Sequence, residues 1–148
     1  MVTATESIFI KAPCHLVFNT AANPHKQLLW DKAFKDLETL TPGNTGLRYS
    51  CYIPWMGRMV YEIVEYKAYE SFAHRSVMAI NRGFHRFEFS PKDDGTLVTQ
   101  TMQLWPRGLG YLLYPFMGSM LRKKLTALNS GLKTYLENPA HAPVKQYG

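Results

Sequence analysis

Apolar positions along the chain change period three times. Residues 3–11, TATESIFIK, alternate weakly and gather Ile8, Phe9 and Ile10, which predicts a first strand. Pro13 then suits the first turn of a helix whose short apolar face is Leu16, Val17 and Phe18. Asn23-Pro24 breaks that helix and opens a second short one, with Leu28, Leu29 and Trp30 expected on its buried side. Beyond DLETLTPGNTG, with a turn at Pro42, Gly43, Asn44 and Gly46, the period becomes two.

LRYSCYIP puts Leu47, Tyr49, Cys51 and Ile53 on one face. A turn at Trp55-Met56-Gly57 leads into RMVYEIVEYKA, and ESFAHRSVMAI follows as a further strand. Asn81-Arg82-Gly83 reads as a tight turn. FHRFEFSP and TLVTQTMQLWP are strands joined by a KDDG hairpin turn, the last one rich in Thr and Val. The period then returns to helical: Leu121, Leu125, Leu128, Leu132 and Tyr135 or Leu136 repeat at spacings of three and four. Lys123, Asn129, Ser130, Lys133 and Glu137 fall mostly on other faces. Pro115 either kinks this helix or starts its long segment. NPAHAPVKQYG has no periodic face, so residues 138–148 are expected to be a flexible tail to a single domain spanning 1–137.

Gly108 to Leu125, GLGYLLYPFMGSMLRKKL, admits three readings. Leu109 to Leu121 is apolar but interrupted by Gly110, Pro115, Gly118 and Ser119, and a span needs about 20 apolar residues. It is therefore a core helix, the wall of a cavity, or an interfacial helix whose cations meet anionic lipid. In the first two readings Arg122 to Lys124 mark where the helix face emerges into water.

Composition narrows the classes. The chain has 148 residues, 46% hydrophobic and 19% charged, which is globular and suits one domain. A 14% aromatic share needs a core, pocket or interface to hold it. The net charge of +6 permits acidic partners, but the cations are scattered and no basic face for nucleic acid is visible. Two cysteines, Cys14 and Cys51, make no disulfide framework, and no signal-peptide pattern opens the chain; a cytoplasmic protein with free thiols is expected. No metal-ligand spacing, phosphate loop or nucleophile elbow occurs, and no cofactor is implied.

Four segments in this order resemble the START-like (SRPBCC) superfamily, the helix-grip or Bet v 1-like fold, and within it the polyketide cyclase/dehydrase-like proteins. They are SIFIKAPCHLVFNTAANP, Trp30, RFEFSPKDDGTLVTQTMQL and ALNSGLKTYLE. The resemblance implies an α+β domain in which a curved antiparallel sheet of about seven strands wraps around a long C-terminal helix. It also implies an apolar cavity between them that takes a lipid-, polyketide- or quinone-like molecule. No catalytic motif is shared across the superfamily, so none is carried over. Homodimers are common among such domains, and a dimer stays open here.

Strand parity supplies the candidate wall. His85, Phe87 and Phe89 lie opposite Arg86 and Glu88; Gln100 and Met102 opposite Thr99 and Thr101; His74 and Met78 opposite Arg75. Tyr49 and Cys51 point inward with them. The fourth strand is ambiguous, because Tyr61 and Ile63 compete with Val60 and Val64. From the helical segment come Tyr114, Met117, Met120 or Leu121, and Trp30 and Trp55 are expected to rim the mouth. His74 and His85, if within reach of one substrate, could act as general acid and base in a cyclisation or dehydration. Three functions therefore remain open: a binding or transfer module, a cyclase or dehydratase, and a peripheral lipid carrier.

Overall fold

The period-two segments form one curved antiparallel sheet in a computed structural model that describes residues 1–41, 47–53, 57–77 and 81–141. Among these residues the strands are β1 (Val2–Ile10), β2 (Lys35–Thr41), β3 (Arg48–Ile53), β4 (Gly57–Lys67), β5 (Ser71–Val77), β6 (Asn81–Lys92) and β7 (Gly95–Pro106). Their order across the sheet is β1-β7-β6-β5-β4-β3-β2. Two short helices, α1 (Cys14–Ala22) and α2 (Pro24–Trp30), connect β1 to β2, and α3 (Tyr114–Glu137) closes the chain. The fold is α+β, with the concave face of the sheet closed by α3, which lies along β1 and β7.

Prolines set the helix starts. Pro24 occupies the first turn of α2, where Asn23 caps by accepting the His25 backbone N–H at 2.9 Å. Pro115 lies in the first turn of α3, where its missing N–H costs nothing, so it starts the helix and does not kink it. A 3-10 turn, Gly108–Leu113, leads into it. The buried stripe of α3 is Met117, Leu121, Leu125, Leu128, Leu132 and Leu136, together with Asn129.

Parity is resolved by burial. Tyr49, Cys51, Phe72, His74, Phe87, Phe89, Val98, Gln100 and Met102 are all buried. On β4 the buried set is Met59, Tyr61 and Ile63, while Val60 is exposed. The inner face of β4 is decided by what it meets: Tyr61 stacks on Tyr49, with ring centroids 5.4 Å apart.

Three local expectations change. Asn81-Arg82-Gly83 is not a turn but the start of β6, paired with Pro106, Trp105 and Leu104 on one side and, for Arg82 and Gly83, with Val77 and Ser76 on the other. Gly83 is there for closeness, since a Cβ would lie 2.8 Å from Ser76 Oγ. Leu28 and Leu29 are exposed, and of the three only Trp30 turns inward, because three consecutive helical residues cannot share one face. Asn129 is buried, where the sequence put it on another face. The expected turns at 42–46 and around Trp55, and Met78, lie outside the described residues, as do residues 142–148 of the expected tail. Pro139–His141 form a 3-10 turn.

Candidate functional site

Where α3 crosses the far ends of β4 to β7, the core divides. The larger cluster contains the aromatic residues Phe18, Phe72, Phe87 and Phe89, and the smaller one is Ala4, Met102, Leu121 and Leu125. Between helix and sheet lies a cavity of about 290 Å³, at the lower end of the size range of small-molecule sites. Its sheet wall is built from Met59 and Tyr61, His74 and Ser76, Asn81, Gly83, Phe84 and His85, and Met102 and Leu104. Its helix wall is Met117, Met120, Leu121 and Lys124, with Leu113 at the edge. A second void of about 20 Å³ continues inward, sharing Tyr61, His74, His85 and Lys124 and reaching Tyr49, Phe87 and Asp31. That is room for one water. Two larger depressions, beside the α1–α2 break and between α2 and α3, are more open to solvent.

The two histidines meet face to edge. They pair directly across β5 and β6, and their ring centroids are 5.0 Å apart. His85 is held from behind: its Nε2 and Gln100 Oε1 are 2.8 Å apart. Because Oε1 only accepts, Nε2 carries the proton and donates, which leaves Nδ1 as an acceptor. Gln100 Nε2 in turn donates to Asn129 Oδ1. A polar chain thus runs from the cavity wall through β7 to α3, and it explains why a wholly buried glutamine and a buried asparagine are tolerated. His74 packs its ring on Tyr61 and His85 and makes no hydrogen bond among the described residues.

Charge follows from burial. His74 is pushed down to about 3, first by burial and then by the positive charge of Lys124. His85 is lowered well below its ordinary value by burial, then by His74 and Lys124, against the opposing bond from Gln100. Both imidazoles are neutral at physiological pH. Burial also raises Tyr61 and Tyr49 and pushes the Cys51 thiol up to about 11, which favours the protonated thiol at neutral pH. Lys124 is half-buried, and burial lowers its ammonium pKa.

Of the residues expected at the site, Tyr61, His74, His85, Met102, Met117 and Leu121 line the cavity together. Tyr49 and Phe87 border only the small inner void. Gln100 stands behind His85. Cys51 packs into the core off the cavity, paired with Met59 across β3 and β4. Trp30 does not rim the mouth: it is buried against α1, donating from Nε1 to the Thr20 carbonyl at 3.1 Å. Tyr114 is exposed at the first residue of α3, although its spacing of three and seven puts it on the helix face of Met117 and Leu121. Ser76, Asn81, Gly83 and Phe84 join the wall without having been singled out from sequence.

Lys124 is the largest departure. Arg122 and Lys123 are exposed as expected, but Lys124 turns into the cavity. Its spacing carried the signal, since Met117, Leu121, Lys124 and Leu128 follow one another at four, three and four residues.

Around the cavity edge the surface is apolar. Leu109, Leu112 and Phe116 are 75%, 73% and 63% exposed, and Tyr111, Leu113, Tyr114 and Met120 are exposed beside them. Arg107, Arg122 and Lys123 flank this lip. Among the described residues no helix is long and apolar enough to cross a membrane.

Comparison with known proteins agrees with this architecture. Residues 1–137 match the family model described as polyketide cyclase / dehydrase and lipid transport. No curated protein sequence matches the chain. Solved structures do: TTHA0849 from Thermus thermophilus shares 20% identity at a TM-score of 0.76, covering 88% of this chain and 94% of its own. A START superfamily protein from Mycobacterium smegmatis shares 12% at 0.71, covering 90% and 99%. The Zhui aromatase/cyclase from Streptomyces sp. R1128 shares 11% at 0.77, covering 88% and 90%. At such identities these likenesses speak for fold alone.

Proposed function

Since the chain belongs to the polyketide cyclase / dehydrase and lipid transport family, we propose that it binds an apolar or amphipathic small molecule between the sheet and α3. The observation that carries this is the cavity itself. It is enclosed mainly by Met and Leu on one side, with neutral His74 and His85 and the polar Ser76 and Asn81 on the other. Such a wall suits an apolar body bearing a carbonyl or hydroxyl. The protonation states favour binding over proton transfer. A general base works best with a pKa near the operating pH, and an imidazole at about 3 is far from it. A cyclase acting through the two histidines would need its substrate to restore that basicity.

Native mass spectrometry of the protein from its own source, followed by extraction, would identify a retained molecule. A direct test uses naphthamide, a neutral bicyclic probe, titrated by calorimetry. Leu104→Trp puts bulk into the cavity and is expected to lower its affinity at least about tenfold, at an overpacking cost of about 1–3 kcal/mol. Unchanged affinity in a folded Leu104→Trp protein would sink this reading.

The exposed lip favours a second, compatible reading: docking at an anionic membrane surface, where the ligand is collected or delivered. Seven exposed apolar side chains within residues 109–120, of which Leu113 and Met120 border the cavity, give the kind of apolar surface that marks an interaction site, and the flanking cations complement anionic head groups. The protein is expected to float with phosphatidylserine-rich vesicles at low salt. Leu112→Asp with Phe116→Asp should abolish flotation, and Arg122→Glu with Lys123→Glu should weaken it at least about tenfold, at about 1 kcal/mol per charge. No flotation at low salt, or a dimer in solution that Leu112→Asp dissociates, would assign the lip to something other than lipid.

A further inference from the structure

Lys124 is a cation without a direct partner in a mainly apolar enclosure. It lines both the main cavity and the inner void. Among the described residues its side chain makes no hydrogen bond and no ion pair. The one acid bordering the same space is Asp31, after the end of α2, which attracts the ammonium from beyond ion-pair distance. Its oxygens are turned to other donors: Oδ2 accepts from Gln27 Nε2 at 3.0 Å and Oδ1 from the Ala33 backbone N–H at 3.1 Å. The other groups facing Lys124 across the cavity are uncharged: two neutral imidazoles, the Tyr61 hydroxyl, Ser76 and Asn81. A half-buried cation with no directly paired anion is costly, and an apolar residue of the same length would remove that cost.

Resting on the reading that the cavity takes a small apolar molecule, we propose that this molecule is an acid, an aryl or alkyl monocarboxylate whose carboxylate pairs with Lys124 Nζ. The apolar body then lies along Met102, Leu104, Met117 and Leu121. Neither imidazole brings a charge against the anion: the neutral His74 ring has one N–H free to donate to a carboxylate oxygen, while His85, whose N–H is given to Gln100, offers only its acceptor nitrogen. Charge-assisted pairing in a largely desolvated site sets the ligand's orientation as well as its class.

The test titrates naphthoate and naphthamide, which share a body and differ in charge, and repeats the pair with laurate and lauramide. Wild-type protein at neutral pH is expected to prefer each acid over its amide by about 10- to 100-fold. Lys124→Met should erase the preference, so that each acid binds no better than its amide to the same variant, and Lys124→Arg should keep part of the preference. Without ligand, Lys124→Met should melt at the same temperature or higher, whereas a residue needed for packing would make it fall. Equal binding of acid and amide by wild type overturns the acid assignment and leaves the cavity reading standing. A preference that survives in Lys124→Met also overturns it, by tracing the anion to surface cations. If none of the four probes binds, the cavity reading fails and this inference fails with it.

Discussion

Between pH 7 and pH 4.5 the protein should lose about 2.5 kcal/mol of stability through His74, and His85 adds to the loss in the same direction. His74 and His85 are neutral in the folded protein because burial and the nearby Lys124 disfavour a second positive charge. In the unfolded chain each imidazole titrates near its ordinary value of about 6.5. As pH falls below that value, the unfolded state takes up protons that the native state refuses, so unfolding becomes easier. For His74 the loss runs from about pH 6.5 down to its folded pKa of about 3. His74 steepens the loss by about 1.4 kcal/mol per pH unit, or about 2.5 kcal/mol by pH 4.5. Against a total stability of about 5–15 kcal/mol, that is a large share, and the lowered His85 works in the same direction. Most of this window lies above the ordinary carboxylate range, so ion pairs such as Arg86–Glu65 at 2.9 Å do not obscure it. Urea midpoints measured from pH 7 to pH 4.5 should fall steadily in wild type. His74→Phe should remove about one proton's worth of slope, and Lys124→Met should soften the remainder slightly by taking away a charge that adds to burial in keeping the rings neutral. A midpoint indifferent to pH across this window would contradict the buried, neutral pair.

That the histidines face inward was legible from sequence, because period two leaves only two choices and Arg75, Arg86 and Glu88 exclude one of them. The long helix was equally legible from leucines spaced by three and four. Strand β4 was not, since both its faces carry apolar residues, and only contact with Tyr49 on the neighbouring strand selects Tyr61. Gly83 was misleading for a related reason: a glycine after Asn-Arg looks like a turn, yet here it makes room for Ser76 between paired strands. The site's charge was misread because Lys124 sits in a run of three cations, and residue type was allowed to outweigh spacing. Asn129 was hidden for the opposite reason. Its partner Gln100 lies on a strand 29 residues earlier, and nothing in local periodicity links an inward glutamine to one helical asparagine.

That link makes Gln100→Leu the most damaging conservative substitution expected in the sheet. Gln100 is wholly buried and serves two partners, accepting from His85 and donating to Asn129. Leucine fills similar space but satisfies neither. The His85 N–H and the Asn129 carbonyl would each be stranded in a dry interior, at about 1–3 kcal/mol apiece, for a total of about 2–6 kcal/mol. The polar chain itself need not add net stability, because replacing every member by apolar groups of similar shape is often neutral. Gln100→Leu with Asn129→Leu should therefore recover part of the loss, and adding His85→Phe should recover most of it. Urea unfolding of the single, double and triple variants checks this order. A single-variant loss below about 0.5 kcal/mol would mean that the chain is satisfied by other groups. The functional consequence is separate from stability. With Gln100 gone, nothing fixes the proton on His85 Nε2, and the ring is free to present either nitrogen to a ligand. The stabilised triple variant should thus fold well yet bind naphthamide more weakly than wild type, because it keeps the cavity's shape while losing the hydrogen-bonding group that His85 offers on its wall.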